Sequence, residues 1–184
     1  IRDRGKEIQE RGKISSIVHY HNSYFVGFLM DGILLLEKQK ETNHYQIQSL
    51  PINSGVFCLK KDRFQDVVWI GTDGQGVYLY SNPLYSIKSM VLSNYTEKIE
   101  RPVRAIYLDD ERTFWVGTKG NGILKIYDYE FDKNISDCRA EVLTTSNSAL
   151  SSNAVYCFAK SHRNLLWIGD EEGLTLSLIH ISEP

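Results

Sequence analysis

VVWIGTDGQGVYLY, residues 67–80, is one copy of a pattern that recurs along this chain and predicts its fold. Three related stretches begin at residues 24, 113 and 165 and read YFVGFLMDGILLL, TFWVGTKGNGILKIY and LLWIGDEEGLTL. Each places a glycine two positions after a large aromatic residue, followed by a short glycine-closed loop and a second apolar run. The aromatic position holds Phe25, Trp69, Trp115 and Trp167, and the glycine position holds Gly27, Gly71, Gly117 and Gly169.

The spacing of these four copies indicates a repeat architecture. The shared glycines are 44, 46 and 52 residues apart, and a period of about 40 to 50 residues is typical of one blade of a β-propeller. In such a fold we expect the aromatic rings to pack between neighbouring blades. We expect the glycines to let the backbones of those blades approach closely.

The third copy shows the strands of one blade most clearly. Apolar runs rich in β-branched and aromatic residues lie at 102–108, 113–118, 122–129 and 140–145, and turn formers separate them, as in antiparallel hairpins. Several runs are apolar at consecutive positions, which implies burial on both faces. No stretch has the pattern of a long helix. The sequence therefore predicts an all-β fold: a partial β-propeller of about four consecutive blades of four antiparallel strands, the last incomplete.

The repeats also divide the chain into segments. We expect a lead-in from a preceding blade or linker at 1–13, blades at 14–50, 51–92, 93–145 and 146–177, and a tail at 178–184. The tail resembles translated sequencing-adapter sequence and is predicted to be non-native. An open arc of four blades exposes strand edges, so we expect the chain to self-associate.

Composition narrows the classes of partner. The 184 residues are 42% apolar and 24% charged, with a net charge of −2, as in ordinary soluble domains. Charges of both signs are interspersed, so no basic patch predicts a nucleic-acid or membrane contact. Cys58 and Cys157 hold the same position in two copies that lie a whole blade apart, which argues against a disulfide. We expect both cysteines to be small buried apolar residues.

Several residues invite a chemical interpretation but have a simpler one. The loops GTDGQG and GTKGNG precede strands, whereas a phosphate-binding loop precedes a helix, so hairpin turns are favoured. His19 and His21 alternate along a strand, yet no third metal ligand has matching spacing. Asp109, Asp110 and Glu111 form a polar turn, whose equivalents carry other residues, which favours an exposed turn over acid/base chemistry. No catalytic residue, metal or cofactor is therefore predicted.

The stretch LSSNAVYCFAKSHRNLLWIGDEEGL, residues 150–174, closely resembles the two-component regulator propeller repeat. Residues 55–80 and 101–127 resemble the same repeat, which combines an apolar strand, a polar turn, Trp-Ile-Gly-Thr and a glycine-rich hairpin. The first copy departs from this pattern because Phe25 replaces the tryptophan. The fourth departs from it because Asp170 stands where threonine is expected.

This resemblance implies a function and a set of partners. In that family such blades form the extracytoplasmic sensor of hybrid two-component regulators, many of which respond to oligosaccharides and signal to a histidine kinase. The implied segment is periplasmic, belongs to a membrane-anchored parent and lacks enzymatic activity. Its candidate partners are an oligosaccharide, the remaining blades of the sensor and a second copy in a homodimer. Two alternatives stay open: a propeller scaffold that binds proteins, and a propeller lyase or hydrolase.

Candidate ligand contacts follow from propeller geometry. The loops between second and third strands and the connections between blades gather at one mouth of the central channel, and the mouths of closed β architectures are preferred ligand sites. Among the polar residues in these segments, the candidates are Asp73, Gln75, Lys119, Asn121 and Arg101. We predict that they contact the ligand, with solvated turn residues as the competing interpretation.

Overall fold

The computed structural model describes residues 5–40, 42, 44–81, 86–90, 101–130, 137–161 and 165–178. Within these ranges the chain forms one short helix, α1 (Gly5–Glu10), and four antiparallel sheets. None of the helical structure in this part of the chain is long and apolar enough to span a membrane.

The strands of each sheet are hydrogen-bonded in chain order. The first sheet contains β1 (Ile14–Tyr20), β2 (Ser23–Phe28), β3 (Ile33–Lys38) and β4 (Tyr45–Ser49). The second contains β5 (Val56–Lys61), β6 (Val67–Thr72), β7 (Val77–Ser81) and β8 (Ser86–Met90). The third contains β9 (Val103–Leu108), β10 (Phe114–Thr118), β11 (Ile123–Ile126) and β12 (Ala140–Leu143), and the fourth contains β13 (Val155–Lys160), β14 (Leu165–Asp170) and β15 (Leu174–Leu178). The prediction of an all-β partial propeller with an incomplete last blade is confirmed.

Some local features differ from the sequence prediction. The lead-in forms α1, and its Ile8 packs on the outer face of the first sheet against Val26, Phe28 and Leu34. Strand β11 is shorter than predicted and ends at Ile126. The division into segments stays a prediction, and residues 179–184 of the expected tail lie outside the described residues.

The shared glycines set the distance between neighbouring sheets. The first strands of the four sheets, β1, β5, β9 and β13, lie side by side. A Cβ atom added to Gly27, Gly71 or Gly117 would lie 2.7, 2.8 or 2.8 Å from a valine Cγ1 of the next sheet. The valines are Val56, Val103 and Val155, and each is the first residue of the first strand of its sheet, here called the inner strand. Since real Cβ atoms do not approach so closely, only glycine permits this packing.

The aromatic position behaves as predicted in the first three copies. Phe25, Trp69 and Trp115 are fully buried, and each ring packs against an aromatic ring of the following sheet. The centroid separations are 4.9 Å for Phe25 and Tyr80, 4.4 Å for Trp69 and Phe114, and 6.5 Å for Trp115 and Phe158. These rings fill the space between neighbouring sheets and remove a large apolar area from water at each interface.

The polar turn between first and second strands contains a buried carboxylate, which corrects the expectation of an exposed turn. Asp62 and Asp109 are only 3% and 1% exposed. Asp62 Oδ2 accepts a hydrogen bond from Trp69 Nε1 at 2.8 Å, and Asp109 Oδ2 accepts one from Trp115 Nε1 at 3.1 Å. In the first sheet Tyr20 takes the place of the aspartate, beside Phe25, and its hydroxyl donates to the Asp66 carbonyl oxygen at 2.7 Å.

The outer face of the fourth sheet is apolar and exposed. Trp167 is 37% exposed, and Leu174 and Leu176 are 64% and 43% exposed. Trp167 pairs with Leu176 and Gly169 pairs with Leu174 across β14 and β15, so these residues share one face. This face corresponds to the one that buries Trp69 and Trp115 in the preceding sheets.

We expect the chain to associate through this face in a concentration-dependent way, because contiguous exposed apolar side chains favour association between molecules. Trp167→Ser should shift sedimentation velocity profiles towards the monomer, whereas Trp167→Phe should retain the association. A compact monomer of the unmodified chain at all protein concentrations would contradict this expectation.

Candidate ligand-binding mouth

One end of the molecule, here called the mouth, is formed where the loop between second and third strands meets the segment that precedes the first strand. A backbone hydrogen bond joins these two segments in every sheet. The bonds run from Leu29 N to Lys13 O (2.9 Å), Asp73 N to Gly55 O (2.8 Å), Lys119 N to Pro102 O (2.9 Å) and Glu171 N to Ala154 O (3.0 Å). The repeat therefore builds the same loop junction four times around the inner strands.

Three of the predicted ligand-contact residues lie together in the third sheet. The side chain of Arg101 lies against the loop that carries Lys119 and Asn121, with its Cδ 3.8 Å from the place where a Cβ of Gly120 would stand. Arg101 and Lys119 are exposed, and Asn121 is partly buried. The Oδ1 atom of Asn121 is buried and has no hydrogen-bond partner among the described residues.

Asp73 and Gln75 lie in the corresponding loop of the second sheet and are exposed. The Asp73 carbonyl oxygen accepts a hydrogen bond from Ser54 Oγ at 2.8 Å, and Gln75 Oε1 accepts one from the Tyr78 hydroxyl at 3.3 Å. No hydrogen bond or ion pair in the described part of the chain joins these two residues to the group around Arg101. Their role in ligand contact stays a prediction.

Asp170, which replaces the expected threonine, ties the fourth loop to the segment before β13. Thr72 and Thr118 hold their hairpins by donating to the carbonyl oxygens of Gly76 and Gly122 at 2.7 and 2.9 Å. Asp170 is 8% exposed and instead accepts hydrogen bonds. The donors include Ser151 Oγ (2.7 Å to Oδ2), Ser152 N (3.3 Å), Glu172 N (3.0 Å) and Gly173 N (3.0 Å).

These contacts set the pKa of the Asp170 carboxyl. Burial alone would raise the pKa, but the hydrogen bonds from Ser151 and from the backbone of Glu172, Ser152 and Gly173 outweigh burial and hold it below its usual value. The ionised carboxylate is therefore part of the folded structure.

A pH dependence of stability follows from this shift. A lowered folded-state pKa contributes stability above the unfolded-state pKa, near 4, and this contribution is lost as the pH falls through the folded-state value. The free energy of unfolding of the unmodified chain, relative to that of Asp170→Thr, should be greatest near neutral pH and shrink below about pH 4. Urea unfolding of both proteins between pH 7 and pH 3 measures this difference, and a difference that does not change with pH would contradict it.

A second group of residues lies on the inner strands near the mouth, and sequence reasoning missed it. Each inner strand contains one extra residue that its partner strand skips: Ser15, Phe57, Arg104 and Tyr156. A β-bulge of this kind turns a side chain away from the regular alternation. In the sequence, the bulge position could have been found as the residue that directly follows the isoleucine or valine at the start of each first strand.

The third inner strand shows where such a residue points. Val103 packs on Gly71 of the second sheet, whereas Ala105 pairs with Gly117, whose face meets Val155 of the fourth sheet. The strand therefore changes faces between residues 103 and 105. Arg104, between them, lies at the inner edge of β9, which is the edge that is not paired with β10. Its guanidinium lies 3.7 Å from the centre of the Phe57 ring.

The other candidate groups show no arrangement for chemistry. His19 and His21 are exposed, and His21 Nε2 pairs with Asp66 Oδ1 at 2.8 Å. No group of three metal-ligating side chains occurs among the described residues. The Cys58 sulfur packs against Gly71, and burial raises the pKa of its thiol to about 12. Cys157 is exposed, so the expectation that it is buried is wrong: it lies on the uncovered face of the fourth sheet.

The fold and the repeated mouth loops define the chain as a set of consecutive propeller blades. Among solved structures it is similar to the extracellular domains of BT3049 and BT4673 from B. thetaiotaomicron, proteins assigned to the hybrid two-component systems. For BT3049 the identity is 25% and the TM-score 0.71, and for BT4673 they are 20% and 0.66, with 90% of this chain and 21% of each neighbour covered. The chain thus spans about a fifth of the length of either domain.

A computationally designed protein, Ika4, is similar over nearly its whole length. The match covers 91% of this chain and 92% of Ika4, at 13% identity and a TM-score of 0.61. No protein-family model matches the chain, and no curated protein matches it. These similarities support the propeller fold at low sequence identity.

Proposed function

We propose that this chain is a sensory, ligand-binding segment of the extracytoplasmic part of a hybrid two-component regulator. The observation that carries the proposal is the fourfold repeated loop junction at the mouth, on a fold similar to the extracellular domain of BT3049. Rigid sheets present polar loops at one end, which is the usual arrangement of a binding surface on a propeller. The ligand class that we propose is an oligosaccharide.

The proposed parent protein is anchored in the membrane, with these blades in the periplasm and a histidine kinase on the other side. Further blades of the same repeat are the partner that best fits the exposed face of the fourth sheet. That face carries Trp167 beside Gly169, and at each of the three internal interfaces a large aromatic residue beside such a glycine meets a valine of the next sheet. Homodimerisation of the complete sensor is also part of the proposal, because signalling requires two arrangements with different ligand affinity.

The test is a calorimetric titration of the complete sensor with a broad panel of oligosaccharides. Saturable binding of one glycan class, reduced by changes at Arg101 and Lys119, is expected. A flat response across the panel would refute oligosaccharide sensing. A reading frame that ends after the blades, with no kinase or receiver downstream, would refute the two-component assignment.

A protein-binding scaffold is the second candidate, favoured by the exposed apolar face of the fourth sheet. Pull-down with the complete sensor separates the two functions, because a scaffold would retain a protein partner without any added glycan.

A further inference from the structure

We propose that the inner-edge cluster, formed by Phe57, Arg104 and Tyr156, binds the carboxylate or sulfate group of an acidic saccharide. The inference deepens the proposed function and rests on it: it names the chemical class of the glycan and the place where its charge is held. These three residues are not among the ligand contacts predicted from the loops.

The unpaired state of Arg104 is the first argument. Its side chain is partly buried, and its Nε atom is buried with no hydrogen-bond partner. Arg104 forms no ion pair with any described residue, whereas Arg63 pairs with Asp110 at 3.1 Å and Arg112 pairs with Glu130 at 3.4 Å. A buried donor without an acceptor is destabilising, and such groups occur where a ligand supplies the missing partner.

The geometry of the cluster is the second argument. Phe57 holds the guanidinium of Arg104 by stacking at 3.7 Å, so the planar group is oriented before any ligand arrives. A guanidinium donates two parallel N–H groups to a carboxylate or sulfate, and a fixed one loses little freedom on binding. Tyr156 occupies the same bulge on the next inner strand and is 38% exposed, so an aromatic side chain is available there for contact with a sugar ring.

The surrounding charges are the third argument. The backbone of Lys119 is fixed between the two strands, since its N–H donates to Pro102 O at 2.9 Å and it forms a β-bridge with Ala154. Pro102 and Ala154 lie two residues before Arg104 and Tyr156. Arg101 lies against the same loop. The corresponding loops of the second and fourth sheets carry the acidic residues Asp73, Glu171 and Glu172, whereas the loop junction of the third sheet carries Arg101 and Lys119.

The test follows the Arg104 side-chain N–H by NMR while glucuronate, glucose or sulfate is added to the chain. Glucuronate should shift the Arg104 Nε–H resonance in a saturable way, and glucose at the same concentration should not. The affinity for glucuronate should exceed that for glucose by about tenfold or more and should weaken at high salt. In the complete sensor, uronic-acid oligosaccharides should show the same preference over their neutral counterparts.

Two variants assign the effect to the cluster. Arg104→Gln should abolish the preference for the acidic sugar. Arg139→Gln is the matched control, because Arg139 is also stacked on an aromatic ring, at 4.8 Å from the centre of Tyr127, but lies directly before the outer strand β12 of the same sheet. It should retain the preference. Circular dichroism of both variants verifies that the sheets are intact.

The possible results distinguish a failure of the acidic-saccharide site from a failure of oligosaccharide sensing. Equal affinity for neutral and acidic glycans in the complete sensor would overturn the inference and leave oligosaccharide sensing in place. A saturable Arg104 shift with glucuronate, without binding of any oligosaccharide by the sensor, would support the anion site and refute the proposed function. Free sulfate that binds as tightly as glucuronate would overturn the saccharide assignment, because the sugar ring would then contribute nothing.

Discussion

Trp69→Ala is expected to lower the free energy of unfolding by about 3–5 kcal/mol. The indole is completely buried between the second and third sheets, with its ring 4.4 Å from Phe114 and 5.5 Å from Tyr129. Alanine leaves a cavity at this interface and removes the donor at 2.8 Å from the buried carboxylate of Asp62. Both effects act in the same direction. Urea unfolding monitored by far-ultraviolet circular dichroism measures the loss.

Trp167→Ala provides the matched control for this prediction. Trp167 holds the same position of the repeat but is 37% exposed, so its replacement should cost about 1 kcal/mol or less. Equal losses at Trp69 and Trp167 would show that the tryptophans stabilise each sheet by itself and would contradict the proposed packing between sheets. The comparison is made at a protein concentration low enough to keep both variants monomeric.

Asp109→Ala is expected to cost about 3 kcal/mol or more, although aspartate is a polar residue in a turn. The carboxylate is 1% exposed and accepts hydrogen bonds from Trp115 Nε1 at 3.1 Å, Glu111 N at 2.9 Å and Thr113 N at 2.8 Å. Its removal takes the acceptor from two buried donors, Trp115 Nε1 and Thr113 N, and a buried unsatisfied donor costs about 1–3 kcal/mol. The loss is measured by chemical unfolding.

The neighbouring residue serves as the control. Asp110 is 55% exposed at its side chain and forms ion pairs with Arg63 and Lys160. Exposed ion pairs contribute about 0–1 kcal/mol, so Asp110→Ala should have little effect. If Asp109→Ala were as mild as Asp110→Ala, the buried carboxylate would have no structural role and the turn would be a simple solvated connection.

The candidate site was only partly predictable from the sequence. Arg101, Lys119 and Asn121 were expected at one mouth because turn chemistry and the repeat place their loops there, and the structure brings these three together. Arg104 was not predicted, because a sequence of apolar and polar residues does not show that a strand changes faces between Val103 and Ala105. The bulge depends on the register between β9 and β10, and that register is set by packing on both sides.

The burial of single residues was also only partly predictable from the sequence. Trp69 and Trp167 are identical in local sequence signal, yet one is fully buried and the other is not, because only the former has a following sheet against its ring. Asp109 and Asp110 are adjacent and chemically equal, but only Asp109 lies within reach of the Trp115 indole.

The number of sheets, most of the strand bounds and the positions of the inter-sheet rings and close-packed glycines could be predicted from the sequence alone. These follow from periodicity and turn formers, which act over a few residues and recur at each blade. The three-dimensional structure was needed to find which carboxylates are buried, which tryptophan is exposed and which arginine lies unpaired at the inner edge. The exposure of Trp167 and the stacking of Arg104 on Phe57 depend on contacts between sheets, which join residues about one repeat apart. The burial of Asp109 depends on the indole of Trp115 in the same sheet, a contact that no pattern of apolar and polar residues specifies.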